Sequence, residues 1–287
     1  MKSSLPLLLV VLPLAAAAVE IPPSPDALER AMEGHRIVLL GEVHDNAAQH
    51  ALRVAALRRL LANGARPAIG FEQFDHDRQR DIDRARTERP GDPDHLIAQA
   101  KGNEQWPWQL YRPFIAIALE YDLPIVAANL SRQDAIRVAV EGWSAAFDPA
   151  TRARLGLDTL PADFERKHED VLAKAHCNLL PPAALAPQAR AQMARDIVIA
   201  QSIRPWFDRG IVLLAGDGHV RRDIGVPHWL TADERRTAVS IGLLERDDEA
   251  PATEAAAEFD AWTVTERAPR EDPCKDLATR LRGPPAH

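Results

Sequence analysis

The sequence predicts an α/β fold, a mostly parallel central sheet flanked by helices, with a helical insertion. Three observations carry this. Short aliphatic runs, among them Ile37–Leu40, Ile125–Ala128 and Ile211–Leu214, are separated by longer segments of helical period. The runs lack the in–out polar alternation of a half-exposed strand, so both their faces are covered, as in a parallel sheet between helices. Two of them, Ile37-Val38-Leu39-Leu40 and Ile211-Val212-Leu213-Leu214, lead into the same pattern of glycine, acid and histidine: Gly41-Glu42-Val43-His44 and Gly216-Asp217-Gly218-His219. In open α/β sheets ligands bind beyond the carboxyl ends of strands, so two such ends side by side would gather two imidazoles and two acids.

Taken in order, the chain opens with Lys2, an apolar stretch from Leu5 to Leu14 and the small-residue run Ala15–Ala18. This is the build of a signal peptide over residues 1–18, too short to span a bilayer. It predicts a periplasmic or secreted protein. No cysteine follows the apolar stretch as a lipid acceptor, and no later segment predicts a transmembrane anchor. The remainder reads as one α/β domain over 19–268 and a C-terminal tail over 269–287, mobile apart from Cys274. Ser24 or Asp26 caps a first short helix, and Asp45 or Asn46 caps the helix after Ile37–Leu40. Ala68–Phe71 is the next strand and ends at Glu72. A charged helix follows over His76–Glu88, then a helix over Trp106–Tyr121. Ile125–Ala128 leads to Asn129 and a helix from Ser131. Residues 149–187 form the helical insertion, and a long helix over Ala189–Phe207 delivers the chain to Ile211. Strands at Ala238–Leu244 and Trp262–Thr265 close the sheet as an edge hairpin around an acidic loop, Asp247–Glu258.

Of the 287 residues 46% are hydrophobic, enough for a sizeable core, and the net charge is −7 with no basic block. Nucleic acid is therefore excluded as a partner. Export places Cys177 and Cys274, the two cysteines, in an oxidising compartment, where they can pair.

Glu42, His44, Glu72, Asn129, Asp217 and His219 all fall just past strands. Two histidines with carboxylates, here His44, His219, Glu42 and Asp217, suit zinc, manganese or non-haem iron. Such a metal acidifies a bound water and makes a hydrolase. Without a metal, Glu42 and a histidine form a general acid–base pair. His50 and His76 stand close enough in sequence to support either arrangement. A second feature is the ring-rich segment Trp106-Pro107-Trp108-Gln109-Leu110-Tyr111-Arg112-Pro113-Phe114. Aromatic faces beside an arginine suit a flat anion; tyrosine can ligate ferric haem and Arg112 can meet a propionate. The same rings also serve as core anchors.

Leu40–Asp45, Gly70-Phe71-Glu72, the aromatic segment, His176-Cys177, and Gly216–Val220 followed by Gly225-Val226-Pro227 together resemble the ChaN family of bacterial haem-binding proteins, within the Tiki, TraB and erythromycin-esterase superfamily. The resemblance implies an α/β fold, haem as cofactor and a role in haem or iron uptake. It further implies a homodimer with stacked haems, Tyr111 on the iron, and His168 or His176 as the histidine nearby. The hydrolytic relatives imply a metal-dependent peptidase or esterase, with Glu42, His44, Glu72 and His219 as the working residues.

Overall fold

The computed structural model describes residues 18–101, 106–246 and 257–282. The signal segment up to residue 17, and most of the expected acidic loop, lie outside the described residues. Among the described residues seven strands form one sheet: β1 (Val19–Glu20), β2 (Ile37–Leu40), β3 (Ala68–Asp75), β4 (Ile125–Asn129), β5 (Ile211–Leu214), β6 (Ala238–Glu245) and β7 (Ala261–Thr265). Their order is β1-β7-β6-β2-β5-β3-β4, and every neighbouring pair is parallel.

The expected edge hairpin is therefore corrected. β6 and β7 run in the same direction, with Ile241 opposite Ala261 and Glu245 opposite Thr265. A parallel partner needs a crossover rather than a tight turn, and the segment between the two strands is long enough to supply one. β1 then covers part of the outer edge of β7.

The helices follow the caps that the sequence offers. α1 (Pro25–Met32) starts at Ser24, whose side chain accepts from the Ala27 N–H. α2 (Ala47–Ala62) starts at Asn46, which accepts from the Gln49 N–H. Next come α3 (Gln79–Glu88), α4 (Pro93–Ala100), α5 (Trp108–Glu120) and α6 (Arg132–Glu141), the last capped by Ser131. The insertion holds α7 (Pro149–Leu155) and α8 (Ala162–Ala175). α9 (Pro182–Ile203) begins earlier than the sequence predicts. Pro182 occupies its first position, where a missing N–H breaks no bond, so the proline starts the helix instead of ending the insertion. α10 (Asp217–Val220) and α11 (Ala232–Arg236) follow β5.

Both sheet faces are buried. Val38 and Leu40 pack with α2 and α5, through Leu57, Leu61, Phe114 and Ile117. Ile37 and Leu39 pack on the other face with α6 and α9, through Val138, Met193, Ile197 and Ile203. Alternate residues of one strand thus serve opposite cores, which is why Ile-Val-Leu-Leu carries no polar position.

The C-terminal tail carries a helix. Beyond β7, Arg270 bonds to Asp45 and Glu245, and Pro273–Arg282 forms a helix, α12. Cys274 on α12 is bonded to Cys177 at the end of α8. The tail is thereby fastened at the carboxyl ends of β2 and β6.

Candidate functional site

β2 and β5 are neighbours in register, Leu40 opposite Leu214, so the two Gly-acid-x-His segments emerge side by side. The Asp217 N–H donates to the Glu42 carbonyl at 3.0 Å, tying the two turns together. Their side chains then part.

In the first segment the acid lies at the centre. Glu42 is fully enclosed, and its carboxylate forms an ion pair with Arg53, which reaches it from the buried face of α2. His50, one turn before Arg53, stands 3.3 Å from the same carboxylate and 3.0 Å from the His44 carbonyl. Burial lowers the His50 pKa to about 4, so this imidazole is neutral and a donor from Nε2. Tyr111 on α5 donates its hydroxyl to Glu42 Oε1 at 2.5 Å. Burial, reinforced by the charge of Glu72, pushes the phenol pKa up, so it stays protonated. His44 Nδ1 also faces Glu42 Oε1, at 2.9 Å, while 41% of the His44 side chain is exposed. A carboxylate accepts only, so Nδ1 carries the proton and the Nε2 lone pair is left over. Nε2 has no protein partner among the described residues. The Trp106 ring meets the His44 ring edge-on at 4.8 Å.

In the second segment the histidine lies at the centre. His219 is buried, with Nδ1 at 2.6 Å from Asp196 on α9 and Nε2 at 3.3 Å from Glu72, which lies within β3 because that strand runs on to Asp75 instead of ending before Glu72. Burial opposes its charge, but Glu72 and Asp196 outweigh it and raise the pKa to about 10. His219 is an imidazolium. Burial also works against charge on Glu72, yet His219 and His44 hold that carboxyl well below the usual range. The Gly216 N–H donates to Glu72 Oε2 at 2.7 Å. Gln192, also on α9, contacts the His219 ring at 3.0 Å.

Gly216 couples the two halves. A Cβ there would sit 2.8 Å from His44 Cε1 and 2.9 Å from His44 Nε2. Only glycine lets the first histidine lie across the second turn.

The expected residues fare differently. Glu42, His44, Glu72 and His219 come together. Asp217 does not: it turns towards β6, where Oδ1 accepts from the Leu243 N–H at 3.0 Å. Burial raises its pKa to about 7. Of the residues assigned to haem, Tyr111 joins the cluster, but it is fully buried behind His44. Arg112 is on the surface in a two-pronged pair with Asp94, at 2.8 and 2.7 Å. His168 is buried between the carbonyls of Phe164 and Ile224, and His176 bonds to the Leu172 carbonyl beside the disulfide. The metal expectation is corrected too. No group of three or more His, Cys, Asp or Glu among the described residues is arranged to hold a metal ion. The reason is visible: Asp217 turns away to cap a backbone N–H, His219 is held between Asp196 and Glu72, and Glu42 is paired with Arg53.

Sequence reasoning passed over Arg53, Asp196 and Gln192. The signal for the first two was a charge inside an apolar face. Arg53 shares the buried side of α2 with Gln49, Ala56, Leu57 and Leu60, and Asp196 sits between Met193 and Ile197 on α9. Buried charges of this kind are paired or functional.

A comparison with characterised protein sequences finds no match. Among solved structures, cofacial haem binding to ChaN of Campylobacter jejuni is represented by a chain similar to this one, with a TM-score of 0.65 and 18% identity, covering 82% of this chain and 89% of that chain. A mutant erythromycin esterase, EreC, in its open conformation gives 0.45 and 15%, covering 77% and 72%. A Bacillus cereus protein gives 0.43 and 15%, covering 79% and 71%. The first likeness supports the fold; the other two carry no further weight. The family model described as haem-binding uptake, Tiki superfamily, ChaN matches residues 28–230, most of the chain, and the protein belongs to that family.

Proposed function

We propose that this protein binds haem at the carboxyl ends of its strands, with His44 Nε2 as the donor to iron, and that it serves haem uptake outside the cytoplasm. The observation that carries the reading is the asymmetry of the His44 ring. Nδ1 is held by Glu42, Nε2 is unpartnered among the described residues, and the side chain is half exposed in a cluster that is otherwise buried. A carboxylate behind an imidazole fixes its tautomer and raises its basicity towards a metal. Haem, when bound, supplies an iron centre that takes such a nitrogen donor. Arg53, His50 and Tyr111 hold Glu42, Glu42 orients His44, and the Trp106 ring offers an apolar wall at the His44 edge. Tyr111 here supports the ligand through Glu42. Family membership and the likeness to ChaN of Campylobacter jejuni favour haem over other flat anions. The apolar N-terminal segment and the Cys177–Cys274 disulfide accord with an oxidising, exported location.

Haemin titration tests the assignment. The wild type is expected to give a saturable Soret shift that His44→Ala abolishes and Tyr111→Phe only perturbs. A band lost in Tyr111→Phe but kept in His44→Ala would move the iron to the phenol. No saturable binding at all would end the reading. Haemin-dependent pairing of two chains, read by sedimentation, is the accompanying expectation.

The same ring favours a second reading: a hydrolase, without a metal, in which His44 Nε2 takes a proton from water and Glu42 steadies the imidazolium. A screen of esters and peptides tests it. Turnover that survives Glu42→Gln combined with His44→Ala would exclude this site.

A further inference from the structure

The amino-terminal ends of β1, β6 and β7 lie at the opposite end of the sheet from His44. A cavity of about 860 Å³ opens there, between these strands, α1 and α11. Its volume falls within the usual range of small-molecule sites, roughly 300–1,000 Å³. The apolar part of its lining comes from Ile21, Ala27, Ala31, Val239 and Ala261. Its rim is cationic, with Arg30, Arg222, Arg235 and Arg236, against Glu20 and Asp260.

Two of these arginines already have carboxylate partners within the chain. Arg222 pairs with Asp260 at 2.9 Å, and Arg236 pairs with Asp233. The other two do not. The side chain of Arg30 makes no hydrogen bond or ion pair among the described residues, and neither does that of His35, which also lines the cavity. Arg235 bonds only to the carbonyls of Leu230 and His228, which leaves its charge without a carboxylate. An apolar hollow with uncompensated guanidinium groups, on a chain of net charge −7, selects one kind of occupant. It suits a molecule with an aliphatic body and an acidic head, because the body gains from burial and the head meets a paired-fork donor that water solvates weakly.

We infer that this groove is a second ligand site, separate from the strand-end cluster, and that it takes a long-chain aliphatic carboxylate bound through Arg30 and Arg235. The carboxylate engages the two guanidinium groups, and the chain lies along Ile21, Ala31 and Val239.

Displacement of cis-parinaric acid from the full-length protein tests this. Saturable fluorescence enhancement is expected in the wild type, and in His44→Ala equally, since His44 is at the other end of the sheet. Arg30→Glu with Arg235→Glu should weaken binding at least tenfold. Arg30 is exposed and has no side-chain partner among the described residues, so Arg30→Glu alone serves as a variant whose fold is not at issue. Among saturated competitors, shortening by two methylenes should weaken displacement roughly tenfold. The matching long-chain alcohol should compete poorly. Any of three results would overturn the inference: no saturable enhancement, wild-type affinity in both arginine variants, or loss of binding in His44→Ala.

Discussion

Gly41-Glu42-Val43-His44 and Gly216-Asp217-Gly218-His219 follow identical strands, stand side by side and have exchanged roles. In the first, the acid is the buried hub and the histidine reaches the surface. In the second, the histidine is the buried hub and the acid is a cap on β6. Two physical differences account for this. Glutamate has one more methylene than aspartate and reaches Arg53, whereas Asp217 opens the short helix α10 and finds the Leu243 N–H first. And α9 runs behind the second turn with Asp196 and Gln192, which draws His219 inward. A shared pattern thus fixes where the side chains start, while the neighbouring helix decides where they end.

The largest expected effect comes from filling the space between the two turns. A Cβ on Gly41 would lie 2.0 Å from Asp217 Oδ1 and 2.9 Å from the Ile241 carbonyl, with β6 backbone unable to retreat. Gly41→Ala should cost on the order of 4 kcal/mol, measured by urea unfolding. A near-neutral result would mean that Asp217 is not locked against the first turn.

Removing the two histidines should separate them next. His219→Ala leaves Asp196 and Glu72 buried without their shared cation, a loss of about 3 kcal/mol. His44→Ala leaves Glu42 with Arg53, His50 and Tyr111, so stability should fall by no more than about 1 kcal/mol while the haemin signal disappears. The His219 contribution has a defined pH window. Its folded pKa, about 10, lies above the unfolded value of 6.5, so the stabilisation is complete below pH 6.5 and is lost as pH rises through 10. Equal stability losses in the two variants would erase the contrast between hub and outlet.

The two acids should differ in the same manner. The folded pKa of Asp217, about 7, is raised above the unfolded value of 3.8, so the folded state keeps a proton that the unfolded chain gives up. Stability falls as pH climbs from 3.8 to 7 and then levels off. Asp217→Asn keeps an oxygen for the Leu243 N–H and removes that cost. The variant should match the wild type near pH 4 and exceed it by a few kcal/mol above pH 7. Glu42→Gln should do the opposite at neutral pH, because it strands Arg53. Parallel pH profiles for wild type and Asp217→Asn would show that Asp217 is ionised after all and closer in role to Glu42.

Much of this was readable in the residues. β2 and β5 have the predicted bounds, because four aliphatic residues in a row admit little besides a buried strand. Glu42, His44 and His219 were legible because position beyond a strand is a local property, whereas Glu72 reaches the cluster from inside β3, which extends to Asp75. What was not legible depends on partners distant in sequence. The direction of β7 rests on a crossover whose residues carry no periodic signal. The turning of Asp217 rests on Leu243, and the burial of His219 rests on Asp196. Tyr111 was found by its aromatic neighbours, but its enclosure by Glu42, 69 residues away, was not. Arg112, one position along α5, points to Asp94 instead, since adjacent helical residues face different ways.

The smallest effect is expected from the glycine that distinguishes the second segment. Gly218 stands where the first segment has Val43, on α10, and a Cβ there would meet nothing within 4 Å. Gly218→Ala should stabilise slightly, by about 0.4–1 kcal/mol, through the narrower unfolded ensemble alone. Two positions earlier the same change is a probe of the site. In Gly216→Ala the new methyl meets the His44 ring, whose exposed end can swing aside, so stability should fall modestly while haemin binding weakens by a larger factor. Wild-type haemin binding in Gly216→Ala would show that the orientation of His44 across the second turn does not matter to the ligand, and the two segments would then be neighbours without being one site.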